Sequence, residues 1–191
     1  MTAANGHCKV SGTGQGDSGG TQSVAMHSCH GIGFHWAACV KLCLQRNGGE
    51  RSMSQQASAQ PKAWIENLVR AYCATDRNTL NMPTGEPAWG EPLVGYARGD
   101  DPLFARLKDD IGPFYWTPEE AFHLAHPNAE VTASALSVIV YVLPQTKTTR
   151  QDQSRESRLP AERWARSRFY GEHFNCALRL YLAEQLTEAG Y

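Results

Sequence analysis

The chain has 191 residues and a formal net charge of −1, a length that suits one domain with a sizeable core. Near-neutral charge excludes a global attraction to nucleic acid or anionic lipid and leaves only local patches for such partners. No apolar run approaches the roughly 20 residues that a spanning helix needs, and the start MTAANGHCK lacks the basic-then-apolar order of a secretory signal. The expectation is a cytoplasmic protein without membrane contact, whose six cysteines are thiols or ligands rather than disulfides.

Residues 1–52 hold ten of the 17 glycines, four of the six cysteines and four of the seven histidines, none of the ten prolines and only six charged residues. Such a segment has no clear hydrophobic period and is predicted not to fold alone. Its Gly16-Asp17-Ser18-Gly19-Gly20 copies the surroundings of the nucleophilic serine in chymotrypsin-like proteases. The histidine and aspartate of that triad must precede the serine on a barrel, yet only His7 and Asp17 do, so the match reads as chance. His27, Cys29, His30, His35, Cys39 and Cys43 offer soft and imidazole ligands without a Cys-x-x-Cys pair. Gly48-Gly49-Glu50 can be encoded as a ribosome-binding sequence, with Met53 at start-codon distance. The leader therefore reads as a start placed too early, with disorder and a metal site as the alternatives.

From Met53 onward periodic patterns begin. Pro61 opens a predicted helix over residues 61–74, with Trp64, Ile65, Leu68, Val69 and Tyr72 on one face and Cys73 beside them as a small semi-buried thiol. Turn signals fill residues 78–92, and LVGYA (93–97) reads as a short strand. Asp100 or Asp101 is predicted to cap a helix that begins at Pro102, which makes Arg98-Gly99-Asp100 a turn rather than an integrin ligand. Thr117-Pro118-Glu119-Glu120 has the form of a capping box. His123 and His126, on the helix that follows, stand at metal-ligand spacing but lack a nearby acid or cysteine partner.

ALSVIVYVLP (135–144) is apolar almost without interruption, the pattern of a central strand buried on both faces in a layered α/β sheet. Residues 145–160 are polar and are predicted to form an exposed, mobile loop. A long helix is expected from Pro160 to Ala189, with Phe169, Tyr170, Phe174, Ala177, Leu178, Tyr181, Leu182 and Leu186 along one side and Gly190 as its stop. An α/β layer normally returns from such a helix into another strand, so the sheet is expected to be incomplete at the C-terminus. The predicted organisation is a disordered or non-native leader, 1–52, followed by an α/β part, 53–191.

Four stretches carry a resemblance to a known family: EPAWGEPLVGYARGDDPLF (86–104), IGPFYWTPEEAF (111–122), SVIVYVLPQT (137–146) and ERWARSRFYGEHFNCALR (162–179). Together, residues 64–191 resemble the N-terminal portion of epoxyqueuosine reductases and related iron–sulfur, corrinoid-dependent reductases. Phe169 and Gly171 stand where that family has Asp and His, a departure that bears on substrate identity. The resemblance implies an oxidoreductase that passes electrons from 4Fe-4S clusters to cobalamin and acts on a modified base of tRNA. Cluster binding needs cysteine runs that this sequence lacks, so the expectation is an N-terminal fragment inactive by itself, with no metal site of its own. The alternative is a stand-alone α/β binding module without redox activity. Arg163, Arg166, Arg168 and Tyr170 at the start of the long helix are the candidate cofactor-binding residues. With Lys147, Arg150, Arg155 and Arg158 they could meet corrinoid amides, its phosphate tail or an RNA backbone.

Overall fold

The computed structural model describes residues 60–191 in full and, before them, the backbone of residues 24–29 and 38–45. Among the described residues the fold is mixed α/β, with five α-helices and an antiparallel sheet. No described helix is long and apolar enough to cross a membrane.

Strands β1 (Val24–Cys29) and β2 (Ala38–Gln45) fall inside the leader that composition predicts to be disordered or non-native. These two stretches are strand backbone rather than disordered: β2 pairs antiparallel with residues 136–143, from Ala38 opposite Leu143 to Gln45 opposite Leu136. Val40, Leu42 and Leu44 alternate with Cys39, Lys41 and Cys43, a period of two that suits a strand once a neighbouring edge is present. The rest of the leader, with Ser18, His30, His35 and the Gly48–Met53 stretch, lies outside the described residues.

Helix α1 (Pro61–Cys73) begins on its proline and buries Ile65, Val69, Tyr72 and Cys73, as the spacing predicts. After it Asn78 closes the following loop: its amide donates to the carbonyls of Cys73 and Trp89 at 3.0 and 2.9 Å and accepts from the Trp89 amide at 2.9 Å. Three partners for one side chain hold a turn-rich segment against the core without regular structure. Strand β3 (Leu93–Arg98) pairs antiparallel with β4 (Leu136–Leu143), and the sheet order is β1-β2-β4-β3. β4 is therefore the central strand. Its residues divide by parity: Ile139, Tyr141 and Leu143 join a core with α1 and the last helix, while Leu136 and Val138 join Phe104, Phe122 and Val131.

Between β3 and β4, Arg98 and Asp100 pair with each other at 2.8 and 2.7 Å. Asp101, not Asp100, caps helix α2 (Pro102–Ile111) by accepting from the Leu103 amide. Thr117 and Glu120 form the expected capping box of helix α3 (Pro118–Ala125).

The polar stretch after β4 departs from expectation. Only residues 156–160 form the expected exposed connection: helix α4 spans Lys147–Arg155, with Thr146 as its cap and Thr149 buried. A threonine cap followed by Lys, Arg and Gln, all good helix formers, is enough to start a helix that needs only one buried face. Helix α5 (Glu162–Glu188) follows, and its buried face is Ser167, Gly171, Phe174, Asn175, Leu178, Leu182 and Leu186. Phe169, expected inside, is 58% exposed. The apolar stripe drifts, because the first half of α5 turns small and polar residues inward where Trp89 and Gln145 approach.

Candidate functional site

The start of α5 and the whole of α4 form one surface, and local contacts fix how they meet. Gln145 donates to the Ser167 hydroxyl at 3.1 Å, which donates to the Trp164 carbonyl at 2.8 Å. The Gln153 side chain accepts from the Ala161 amide at 3.0 Å, closing the α4–α5 connection. Trp89 lies over Gly171 and donates its indole N–H to the Gly171 carbonyl at 3.0 Å.

The four candidate residues separate into two pairs. Arg163 points inward, with its fork on Glu86 (Nε–Oε2 2.6 Å, Nη2–Oε1 2.9 Å) and a further bond to Asp152. Arg166 donates to Glu162 at 2.8 Å and to the Asn81 carbonyl at 2.9 Å, with its guanidinium 6.0 Å from the Tyr170 ring centroid. Both arginines thus tie the 78–89 loop to α5. Arg168 is exposed and has no ion pair with a described residue. Tyr170 packs edge-on against Phe169 at 5.1 Å, and the His173 ring lies 4.7 Å from that of Phe169.

Glu86 is held at about 2, against an ordinary 4.5, chiefly by the hydrogen bond from Arg163 and then by that from Thr84. Between those two values the unfolded chain binds a proton that the folded chain refuses. The stabilisation from this pair is therefore complete above pH 4.5 and is lost as pH falls toward 2. Glu86→Gln should flatten the acid limb of stability by up to one proton, read from urea midpoints at several pH values. Parallel acid limbs for the two proteins would contradict the assignment.

Lys147, Arg150, Arg155 and Arg158 are exposed and, with Arg168, form no ion pair with a described residue. Residues 147–168 carry seven cations against three acids in a chain of net charge −1. Sequence reasoning placed the cations but missed Phe169 and His173 as their outward aromatic neighbours. The signal that could have found them is the four-residue spacing of the small residues Ser167 and Gly171, which claims the inward face.

Elsewhere, His123 bonds the Val131 carbonyl at 3.1 Å, and its nearest carboxylate, Glu119, is 4.0 Å away. Among the described residues no group of three or more His, Cys, Asp or Glu side chains is placed to hold a metal ion. In residues 60–191 the thiols are Cys73 and Cys176. Burial pushes Cys73 up to about 11, which makes it a core thiol and a poor ligand at neutral pH. Cys176 accepts from Arg179 at 2.9 Å. This donor set does not fit an iron–sulfur cluster, which takes four cysteine thiolates. Nor do Arg163 and Arg166 fit a corrinoid, because their forks are already closed on Glu86, Asp152, Glu162 and loop carbonyls.

No family model, no curated protein and no solved structure matches the chain.

Proposed function

We propose that this chain is the RNA-binding α/β shell of an epoxyqueuosine reductase-like protein, a unit that holds tRNA while cobalamin and iron–sulfur chemistry belongs to other polypeptide. The observation that carries the reading is the α4–α5 surface. It carries five exposed cations without a described ion-pair partner, and Phe169, 58% exposed, directly follows one of them, Arg168. Cations that track phosphates beside an aromatic face that stacks a base are the two parts of a single-strand binding surface.

The convergence of the family-like stretches supports the same reading. Trp89 from the first, Gln145 from the third and Ser167 with Gly171 from the fourth meet in one buried seam beneath that surface. Helices gathered against opposite faces of β4 agree with a layered sheet as the underlying scaffold. The engagement of Arg163 and Arg166 favours a second reading, a stand-alone α/β interaction module that uses the same surface with no redox partner.

Fluorescence anisotropy with a tRNA and with a 20-nucleotide single-stranded RNA tests the proposal. Five phosphate contacts give a slope of about −3.5 in log affinity against log salt, or a loss of about 100-fold between 50 and 200 mM. Arg168→Ala should reduce that slope by about 0.7, and Phe169→Ala should cost about 1–3 kcal/mol. Binding that ignores salt and both substitutions, or no binding to either RNA, would remove the reading.

A further inference from the structure

The side of the molecule away from the basic surface carries the opposite charge and a hollow. Between α2 and α3 lies an open groove of about 750 Å³ lined by Lys108, Pro113, Trp116, Glu119, His123 and Leu124. In the same region Ile111, 48% exposed, ends α2, and Phe114, 75% exposed, stands in the α2–α3 connection. Residues 98–120 hold six acids against three cations. Part of this charge is spent internally, since Lys108 pairs with Glu120 and Arg106 with Asp110 at 3.4 Å. Glu119 lines the groove with no cation of its own among the described residues beyond His123, and Asp109, next to the groove's Lys108 on α2, forms no ion pair with a described residue.

We propose that this groove receives the α4–α5 surface of a second copy of the chain. The two surfaces match in sign and in shape. One is acidic, apolar and concave; the other is basic and carries Phe169 and Leu159, 58% and 73% exposed, as projecting apolar groups. They cannot meet within one molecule. Helices α2 and α3 cover the Leu136–Val138 end of β4 on one face, whereas α4 starts beyond Leu143 and packs on α5 against the other. An eight-residue strand separates the two ends by about 27 Å. A contact between two different patches is heterologous, so it propagates from copy to copy until a ring closes or the chain of copies ends. Opposite net charge on the two patches sets the register and makes the assembly salt-sensitive.

The inference goes beyond the RNA reading but shares its surface, so RNA and a second copy compete for the same cations. Polyphosphate binding then releases single copies, and the assembled form has its RNA surface covered.

Sedimentation velocity of the full chain tests it. In 50 mM salt the wild type should form species larger than a monomer in proportion to concentration, and 500 mM salt should return the monomer. Asp109→Lys with Glu119→Lys reverses the groove, and Arg150→Glu with Arg158→Glu reverses the basic surface. Each double variant alone should associate on the order of a hundredfold more weakly. Mixed in equal amounts they should assemble again, because each supplies the intact surface that the other lacks and the two reversed surfaces are themselves opposite in sign. Circular dichroism matching the wild type shows that the variants remain folded. A wild type that stays monomeric at every concentration, variants that assemble like the wild type, or a mixture that stays monomeric would each overturn the proposal. Addition of the 20-nucleotide RNA should dissolve the wild-type assembly. RNA binding without any self-association removes this inference and leaves the RNA reading standing, whereas assembly that RNA does not touch does the reverse.

Discussion

Gly171→Ala should destabilise the fold by about 2 kcal/mol, and the same substitution should become stabilising once Trp89 has been removed. A Cβ at position 171 would stand 2.6 Å from Cζ2, 2.7 Å from Cε2 and 2.9 Å from Nε1 of Trp89. Those atoms belong to a fused ring that cannot fold out of the way. The indole is 4% exposed and bonded to the Gly171 carbonyl at 3.0 Å, and the Asn78 amide group holds the Trp89 backbone on both sides. Relief would have to come from moving the 78–89 loop or α5 itself, and both are tied together by Arg163 and Arg166. Trp89→Ala by itself should cost about 3–5 kcal/mol through lost burial and the cavity left behind. In that background the clash is gone, and alanine is a better helix former than glycine by about 1 kcal/mol. Urea unfolding of the wild type, both single variants and the double variant measures the coupling. Equal effects of Gly171→Ala in the two backgrounds would show that the ring does not set the requirement for glycine.

A second large effect is expected one helical turn further along α5. Tyr141 and Asn175 are both 0% exposed, and the phenol donates to the Asn175 side-chain oxygen at 2.9 Å. Burial pushes the Tyr141 hydroxyl above the ordinary phenol value, so it stays protonated and remains a donor. Either single substitution strands the other partner in a dry environment, which costs about 1–3 kcal/mol. Tyr141→Phe leaves the asparagine oxygen without its donor, and Asn175→Leu leaves the hydroxyl without its acceptor. Replacing both removes the two polar groups together, so the Tyr141→Phe/Asn175→Leu protein should be more stable than the sum of the single losses implies. Strict additivity across this cycle would mean that the pair is not the unit of stability here.

The candidate site was legible in part. Arg163, Arg166, Arg168 and Tyr170 do lie at the start of one helix, and the cations of residues 147–158 do stand beside them. Their division of labour was not legible. Arg163 and Arg168 have the same charge and sit five positions apart, yet one is closed on Glu86 and Asp152 while the other faces solvent. The partner that decides this, Glu86, is 77 residues away in the chain. Phe169 reads as a core residue in any apolar pattern. It is displaced from the core because Gly171, 82 residues from Trp89, is the position the indole requires.

Signals that act within one or two turns of chain were decided by the sequence itself. These include the Asp101 cap, the Thr117–Glu120 capping box, the proline starts of α1, α2 and α3, and the nearly continuous apolar run that makes β4 central. Each involves residues at most a few positions apart, so propensity and hydrogen-bond geometry suffice to specify it. Tertiary structure alone decided that residues 147–155 are helical, that Val24–Cys29 and Ala38–Gln45 are strands, and which arginines remain open to a partner. A polar helix is stabilised by the surface that takes its single buried face, and a strand by the edge that completes its hydrogen bonds. An ion pair forms with whichever carboxylate the packing brings near. All three depend on neighbours that are distant in sequence, where local periodicity carries no information.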